Sequence, residues 1–343
     1  MDTGADLHWC IADRETDEML GNVQVFRMGP AVGRFQGELG YWLRPGARGR
    51  GVIGEAVRPV IAHAIRPVAD GGLGLTRLYA ATDTDNYASQ SLLLTAGFTR
   101  WGTDHQAWRR SDGALSDGAH FELLDHEVDL DDGSQLMNGL AVSGQVGSGA
   151  PGFEAVTLEG NGIRLRRWRH TDAARIMEAA SDEDTHQWLA GSLPSPYTLS
   201  DAHSYITGLS EDARKRRGLC WCVADSETDT CLGSVAALDL RYALGTAGEI
   251  GYWTHPDARG RGVMSEAVRL AVRHAFLPRE DGGLGRIRLR LNAAQGNVAS
   301  HQIARANGFV EVGRDRLAEP LGDGTFADLV RFDLLVGEWD ANA

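Results

Sequence analysis

The sequence predicts a mixed α/β chain in which one domain, a sheet with helices on its faces, is written twice. Three observations predict it. The stretch from Glu38 to Ala56, ELGYWLRPGARGRGVIGEA, nearly recurs from Glu249 to Ala267 as EIGYWTHPDARGRGVMSEA. A shift of 211 residues also superposes Asn86 on Asn297, Ser89 on Ser300, Gly97-Phe98 on Gly308-Phe309, and FELL at 121 on FDLL at 332. Finally, each copy reads as strand, strand, long strand, helix, strand, helix, strand, strand, an order that layers helices on a sheet.

In the second copy these elements fall near 219–225, 232–240, 247–254, 262–276, 286–293, 298–306, 309–314 and 327–335. Upstream the offset becomes 212, matching WCIADRETDEMLG from Trp9 with WCVADSETDTCLG from Trp221. Before that point only the second copy continues. VTLEGNGIRLRRW from Val156 reads as a strand pair, and HTDAARIMEAAS as a helix with Thr171 or Asp172 at its N-cap. SDAHSYITGLSEDARKR follows as a helix capped by Ser200. The expected organisation is a domain over 1–125 lacking the first strand and helix pair, a linker over 126–155 rich in Asp, Gly and Ser, and a complete domain over 156–340.

Composition narrows the function. At 343 residues and 43% hydrophobic, the chain can bury two ordinary cores. No run approaches the roughly 18 apolar residues of a membrane span, and Met1-Asp2-Thr3 does not open a signal peptide, so a cytoplasmic protein with no membrane partner is expected. The net charge of −13 argues against nucleic acid, whose phosphates need a basic surface. Only Lys215 among the 34 basic residues is a lysine, which we read as base composition. Cys10, Cys220, Cys222 and Cys231 are too few for a disulfide framework and are expected as buried free thiols. Self-association as a homo-oligomer is left open.

The repeated stretch carries the chemistry. In GEIGYWTHPDARGRGVMSEA the strand ends at His255-Pro256, and Gly260 and Gly262 turn the chain into a helix beginning near Val263. Such a turn points successive N–H groups into one concavity at a helix start, a site for phosphate. Arg259 and Arg261 add charged donors. The helix field contributes only about 0.3–1 kcal/mol per exposed charge, so amides and arginines must supply most of the grip. A diphosphate fits better than a carboxylate. No Gly-Lys-Ser/Thr follows, so this is not a Walker loop, nor does it match the three spaced glycines of a dinucleotide fingerprint. Taken alone, it could also be a glycine-rich connection that binds nothing.

ARGRGVMSEA and ARGRGVIGEA resemble the acetyl-coenzyme A loop of the GNAT N-acetyltransferases: Arg or Gln, two residues, Gly, one residue, then Gly or Ala. Met264 and Ile53 depart from the last position. EIGYW, the NVAS and NYAS segments that each run into Gly-Phe, HQWLAGSLPSPYTLSDA and DLVRFDLLVGEW are similar to the Rim-type branch, which acetylates ribosomal-protein N-termini. The resemblance covers essentially the whole second copy and the first from about Trp9 to Leu124.

It implies a mostly antiparallel sheet flanked by helices, and direct transfer from acetyl-CoA to a small-molecule or peptide amine in a ternary complex without a metal. It further implies that Trp253 and Thr254 pair through their backbone with the pantetheine arm, and that Arg259, Gly260, Arg261, Gly262, Val263, Met264 and the neighbouring Ser265 hold the pyrophosphate. Asn297 would bond the cofactor near its sulfur and Ser300 would protonate the departing thiolate, although both also sit where a helix begins. Glu249 is the candidate base, alternating with Gly251 and Trp253 on one strand face.

The first copy keeps Glu38 and Ser89 as catalytic counterparts, and Leu43, Arg48, Gly49, Arg50, Gly51, Val52, Ile53 and Asn86 as cofactor residues. Against its activity stand Gly54 in place of Ser265, Pro59 inside the helix, and the missing helices that wall the acceptor pocket, so the second copy is expected to be the active one. The acidic run Asp182-Glu183-Asp184 is expected as a solvated helix end.

Overall fold

The computed structural model describes residues 6–28, 36–110, 113–128, 156–190, 193–214, 218–238, 240 and 247–339. These divide into two compact units. The first takes its described residues from Met1–Asp104, Leu115–Gly147 and Asp315–Ala318; the second takes them from His105–Ala114, Ser148–Arg314 and Glu319–Ala343. Each unit therefore contains a short piece of the other sequence copy.

The first copy supplies β1 (Leu7–Ala12), β2 (Met19–Phe26), β3 (Gln36–Leu43), α1 (Val52–Ile65), β4 (Arg77–Asp83), α2 (Tyr87–Thr95), β5 (Thr99–Arg109) and β6 (Leu115–Leu124). Its strands lie in the order β1-β2-β3-β4-β6-β5. The second supplies β7 (Leu158–Glu159), β8 (Ile163–Arg166), α3 (Ala173–Ala180), α4 (Glu183–Leu189), α5 (Leu199–Arg214), β9 (Leu219–Asp225), β10 (Cys231–Leu238), β11 (Ala247–Thr254), α6 (Val263–Phe276), β12 (Arg288–Ala294), α7 (Val298–Ala306), β13 (Val310–Pro320) and β14 (Phe326–Leu335). Its order is β7-β8-β9-β10-β11-β12-β14-β13. The pairings β3·β4 and β11·β12 are parallel, while β1·β2, β2·β3, β4·β6, β8·β9, β9·β10, β10·β11 and β12·β14 are antiparallel. This is the expected mixed, mostly antiparallel sheet in tandem copies.

Strand alternation decides which face is core. In the second unit Leu219, Trp221 and Val223 of β9, Val235 and Ala237 of β10, Ile250 of β11, Leu289 and Leu291 of β12 and Phe332 of β14 point to one face. There α6 lays down Met264, Ala267, Val268, Ala271 and Ala275, the helical spacing of an apolar stripe. The other face carries Glu249, Trp253, Arg290 and Arg331, and α3 and α5 pack near it: Ala173, Ile176, Ala202 and Ile206 form a small cluster with Trp168, Tyr197, Tyr205 and Trp253. The duplication extends to side-chain geometry. Trp9 meets His63 edge-on at 5.9 Å, and Trp221 meets His274 at 5.6 Å. Burial holds both imidazoles below the ordinary histidine range.

Local details correct several expectations. The cap of α5 is Thr198, not Ser200: its hydroxyl accepts from Asp201 N at 3.2 Å, while Thr198 N donates to the Asp201 carboxylate at 2.8 Å. Asp172 does precede α3, but its carboxylate holds the Arg166 guanidinium in two 2.9 Å hydrogen bonds and accepts from Arg169 N. The strand expected near 309–314 continues to Pro320. α1 runs from Val52 to Ile65 with Pro59 inside it and no break in the helix. All four thiols are free, but Cys10 is exposed and Cys220 half-buried.

A buried charge cluster ties the borrowed segment into the first unit. Arg77 and Glu122 are 1% and 0% exposed at their side chains, and Arg77 Nη2 lies 3.1 Å from Glu122 and 2.9 Å from Asp315. The Arg316 guanidinium reaches Glu122 at 2.6 Å and Glu127 at 3.0 Å. Truncating one member strands the others in low dielectric, typically costing about 3–5 kcal/mol. Asp315→Ala, a change in the second copy's sequence, is expected to lower the first unit's stability by about that amount. Hydrogen exchange in β4 and β6 during a urea titration checks it.

Candidate active site

The site begins where two strands part. β11 and β12 are eight and seven residues long, yet their ladder pairs only Ala247, Gly248 and Glu249 with Arg288, Leu289 and Arg290. Beyond Glu249 each strand keeps its outer partner, β11 pairing with β10 out to Thr254 and β12 with β14 out to Ala294. The inner edges of Ile250–Thr254 and Leu291–Ala294 thus face one another without a ladder between them. A slot edged with main-chain donors and acceptors suits an extended arm rich in amides.

At the mouth of that slot stands the glycine turn. Gly260 and Gly262 adopt φ of 70° and 73°, and a Cβ at either would meet nothing within 4 Å, so backbone conformation and not crowding demands glycine. Gly262 is the N-cap of α6 and offers no side-chain cap. Glu266 N makes the intrahelical bond to Gly262 O at 3.2 Å, leaving the amides of Val263, Met264 and Ser265 ahead of it, where a diphosphate fits. Arg261 is exposed, with Nη1 3.5 Å from Asp257 O.

Arg259 has other work. Its guanidinium donates to Asp182, to Asp184 at 3.1 Å and to Thr185 Oγ1 at 2.8 Å. Asp182 in turn caps α4 by accepting from Thr185 N at 2.9 Å. Burial opposes the Asp182 charge, but Arg259 and the Thr185 amide hold its carboxyl below the usual range. Ser265 Oγ lies 3.4 Å from Asn307 Nδ2, a pair replaced by Gly54 and Ala96 in the first copy.

On the core side, Asn297 caps α7 by accepting from Ser300 N at 3.1 Å. Ser300 Oγ and Tyr252 Oη are 2.6 Å apart, tying the helix start to β11 beside the slot. Burial pushes the Tyr252 phenol up to about 12, so it stays protonated.

On the opposite face, Glu249 sits at the apex of the slot, 3.8 Å from Arg290 Nη2. Close by, Glu319 of β13 is a carboxyl pushed up to about 7 by burial, with Arg331 opposing and the Glu249 charge adding a smaller upward push. Sequence reasoning missed it, because a Glu-Pro step before a polar hairpin reads as surface. The repeat held one signal: the position 211 residues earlier is Trp108, so a carboxylate stands in one copy only.

In the first copy, β3 and β4 also pair over three residues only, Gln36–Glu38 with Arg77–Tyr79. Gly49 and Gly51 take φ of 72° and 77° ahead of Val52 and Ile53, the first residues of α1. Asn86 caps α2 at 3.2 Å from Ser89 N, and Ser89 Oγ lies 2.6 Å from Tyr41 Oη. Arg48 donates to Leu43 O at 3.2 Å, and Arg50 is exposed. Glu38 differs most: Arg27 Nη1 sits 2.6 Å from its Oε2.

Two parallel strands that part after three rungs and a glycine-turned helix start at their mouth make up the candidate site. The chain belongs to the acetyltransferase (GNAT) domain family, whose model matches residues 1–99 and 163–310. Members of that family take their acetyl group from acetyl-CoA. Two Bacillus subtilis (strain 168) proteins are similar over part of their length: YdaF, named as a ribosomal N-acetyltransferase, is 35% identical over 92 residues, 27% of this chain and 47% of YdaF. YoaA, named as an uncharacterized N-acetyltransferase, is 31% identical over 100 residues, 29% of this chain and 52% of YoaA. The chain thus spans about half the length of the curated relatives it matches. Among solved structures, Mycobacterium smegmatis RimJ in complex with CoA-disulfide superposes at a TM-score of 0.46 with 19% identity, over 53% of this chain and 87% of that one. Among the described residues no group of three or more His, Cys, Asp or Glu could hold a metal ion, and no helix is long and apolar enough to cross a membrane.

The raised carboxyl yields a paired expectation. A group with folded pKa above its unfolded value stabilises the protein below the unfolded pKa and loses that contribution as pH rises through the folded one. Glu319, at about 7 against an ordinary 4.5, thus opposes folding by about 3 kcal/mol above neutrality. Glu319→Gln is expected to raise stability at pH 8 by a large part of that, measured by urea melts across pH 4–9, and leave it little changed near pH 4.

Proposed function

We propose that the second copy is an acetyl-CoA-dependent N-acetyltransferase that passes the acetyl group directly to a primary amine in a ternary complex. The parting of β11 from β12 at Glu249 carries this reading, because it brings an amide-edged slot, an uncapped helix start and an acidic apex into one line. The bound thioester supplies an activated acyl carbon and a thiolate leaving group.

The residues divide the remaining work. Main-chain groups of Trp253 and Thr254 hold the arm, and the amides from Val263 to Ser265 with Arg261 hold the diphosphate. Arg259 keeps α4 docked on the turn. Glu249 takes the ammonium proton directly or through water, and Glu319, whose carboxyl burial pushes up to about 7, stands beside it in the acidic apex. Ser300, hydrogen-bonded to Tyr252, returns a proton to the sulfur. The acidic apex matters most for a lysine-like amine, whose deprotonation at pH 7 costs roughly 4–5 kcal/mol, against about 1 for an α-amino group.

We read the acceptor as a small molecule of amino-sugar or antibiotic type, seated against the half-buried aromatic wall of Trp168, Tyr197, Tyr205 and Trp253. A protein N-terminus is the second reading, favoured by the name of YdaF. A chain that binds CoA in both copies as a scaffold and transfers nothing is a third, against which Glu249, Glu319 and Ser300 converge on one slot. In organisation we keep a first domain over 1–125, a linker over 126–155 and a complete domain over 156–340.

Thiol release from acetyl-CoA against a panel of amines tests the reading. Glu249→Gln and Ser300→Ala are each expected to lower kcat by about 10²-fold or more, and Glu38→Gln by far less. The reverse ranking would move the active site to the first copy. CoA binding without turnover on any amine, small or peptide, would leave the scaffold reading.

A further inference from the structure

We propose that Asn292 selects the acceptor: its side-chain carbonyl receives one N–H of the incoming amine in a notch beside the slot, so that a primary amine is taken and an N-alkylated one refused. The proposal deepens the reading above and rests on it, since it names what holds the amine where Glu249 takes its proton. One orphaned oxygen and the space near it carry the argument.

Asn292 lies on β12 two residues past Arg290, where the three-rung ladder ends, and opposite Arg331 of β14. Alternation puts it on the face that carries Glu249, Arg290 and Arg331, just beyond the apex of the slot. Its side chain is half-buried, and its Oδ1 is fully covered with no hydrogen-bond partner among the described residues. A buried carbonyl left unpaired opposes folding, and such an atom calls for a ligand or a water. The last torsion of asparagine is broad, so a small turn presents the oxygen to the notch. The notch itself lies across the slot. Gly251 of β11 takes no left-handed φ, yet a Cβ there would meet the Leu238 methyl at 3.2 Å and, outside its chain neighbours, no other described atom within 4 Å. Ala236 of β10 stands opposite Gly251 in the sheet. Two positions with a methyl or less thus floor the notch, between Glu249 and Trp253 on the same strand face.

The first copy has neither part. Ala81 stands where Asn292 does, Gln24 replaces Ala236 and Phe26 replaces Leu238. A Cβ on Gly40, the counterpart of Gly251, would meet Phe26 Cε1 at 2.9 Å and Gln24 Nε2 at 3.0 Å, so the space is filled there. The orphaned carbonyl and the open notch therefore occur together, and in the copy whose glutamate is not gripped by Arg27. The chemistry explains why a carbonyl serves. A primary ammonium brings three N–H groups. One proton passes through Glu249 to solvent and frees the lone pair; a second follows by the same route once the C–N bond has formed, while the C–S bond breaks and the thiolate takes its proton from Ser300. The third N–H remains in the amide product, and that is the one Asn292 holds from entry to release. An N-alkylated amine ends as a tertiary amide with no N–H, which strands the carbonyl again.

Steady-state thiol release by the full chain, with the best primary amine of the panel and with its N-methyl derivative, is the test. The unaltered chain is expected to favour the primary amine by about 10-fold or more in kcat/KM. Asn292→Leu, of similar size, is expected to raise KM for the primary amine by about 10-fold or more, to leave KM for acetyl-CoA unchanged and to erase the preference. Asn292→Asp keeps an oxygen in place and is expected to recover most of the loss. The urea midpoint of Asn292→Leu is expected to equal or exceed that of the unaltered chain, because an unpaired carbonyl has left the interior. Should the leucine variant fold poorly, Gly251→Ala serves in its place; its methyl enters the notch against the movable Leu238 side chain and is expected to raise the same KM. An unchanged amine KM in these variants overturns the inference. So does an aspartate variant as impaired as the leucine one, or an N-methyl amine turned over as fast as its parent. In each of those cases turnover persists and the proposed function stands; no turnover on any amine removes both.

Discussion

A three-rung ladder governs this molecule. Had β11 and β12 stayed paired along their length, every inner amide and carbonyl would be satisfied within the sheet and nothing could enter. Each strand keeps its outer partner, β10 or β14, to its far end, so it is only the inner edges that are left unpaired. The unpaired edges are hydrated or occupied, and an occupant able to replace water on both edges gains a binding line for little protein rearrangement. Glu249 owes its position to being the last paired residue.

Under the proposed function, a strongly acidic chain has to hold an anionic ligand. The formal charge of −13 opposes binding a diphosphate at long range. Fixed dipoles at the α6 start, held by two left-handed glycines, act within a few ångströms and are little affected by net charge. One of the two arginines in the turn is spent on architecture, since Arg259 is shared among Asp182, Asp184 and Thr185. The cost is one phosphate donor; the return is a helix placed beside the slot.

Much of the fold was legible because proline and glycine mark its borders. His255-Pro256 ends β11, the glycines launch α6, and the repeat lets each copy check the other. The candidate site was legible where its residues are neighbours in sequence, as with the turn and the Asn297–Ser300 cap. It was illegible where tertiary structure decides. The partners of Arg259 lie 74 to 77 residues away, so its diversion from the ligand has no local sign. Glu319 owes its raised pKa to burial, which a polar stretch of alternating charge conceals. Thr198 caps α5 through a reciprocal pair with Asp201, and Ser200 inside the same polar run offers an equally good local signal for the cap.

The exchanged segments have an evolutionary consequence. Asp315–Ala318 completes the charge cluster of the first unit, and His105 of the segment His105–Ala114 places its amide 3.4 Å from Asp333 in the second. A deletion that shed either half of the gene would strip the survivor of residues already built into its own sheet. Neither copy can then be expressed alone as an intact unit.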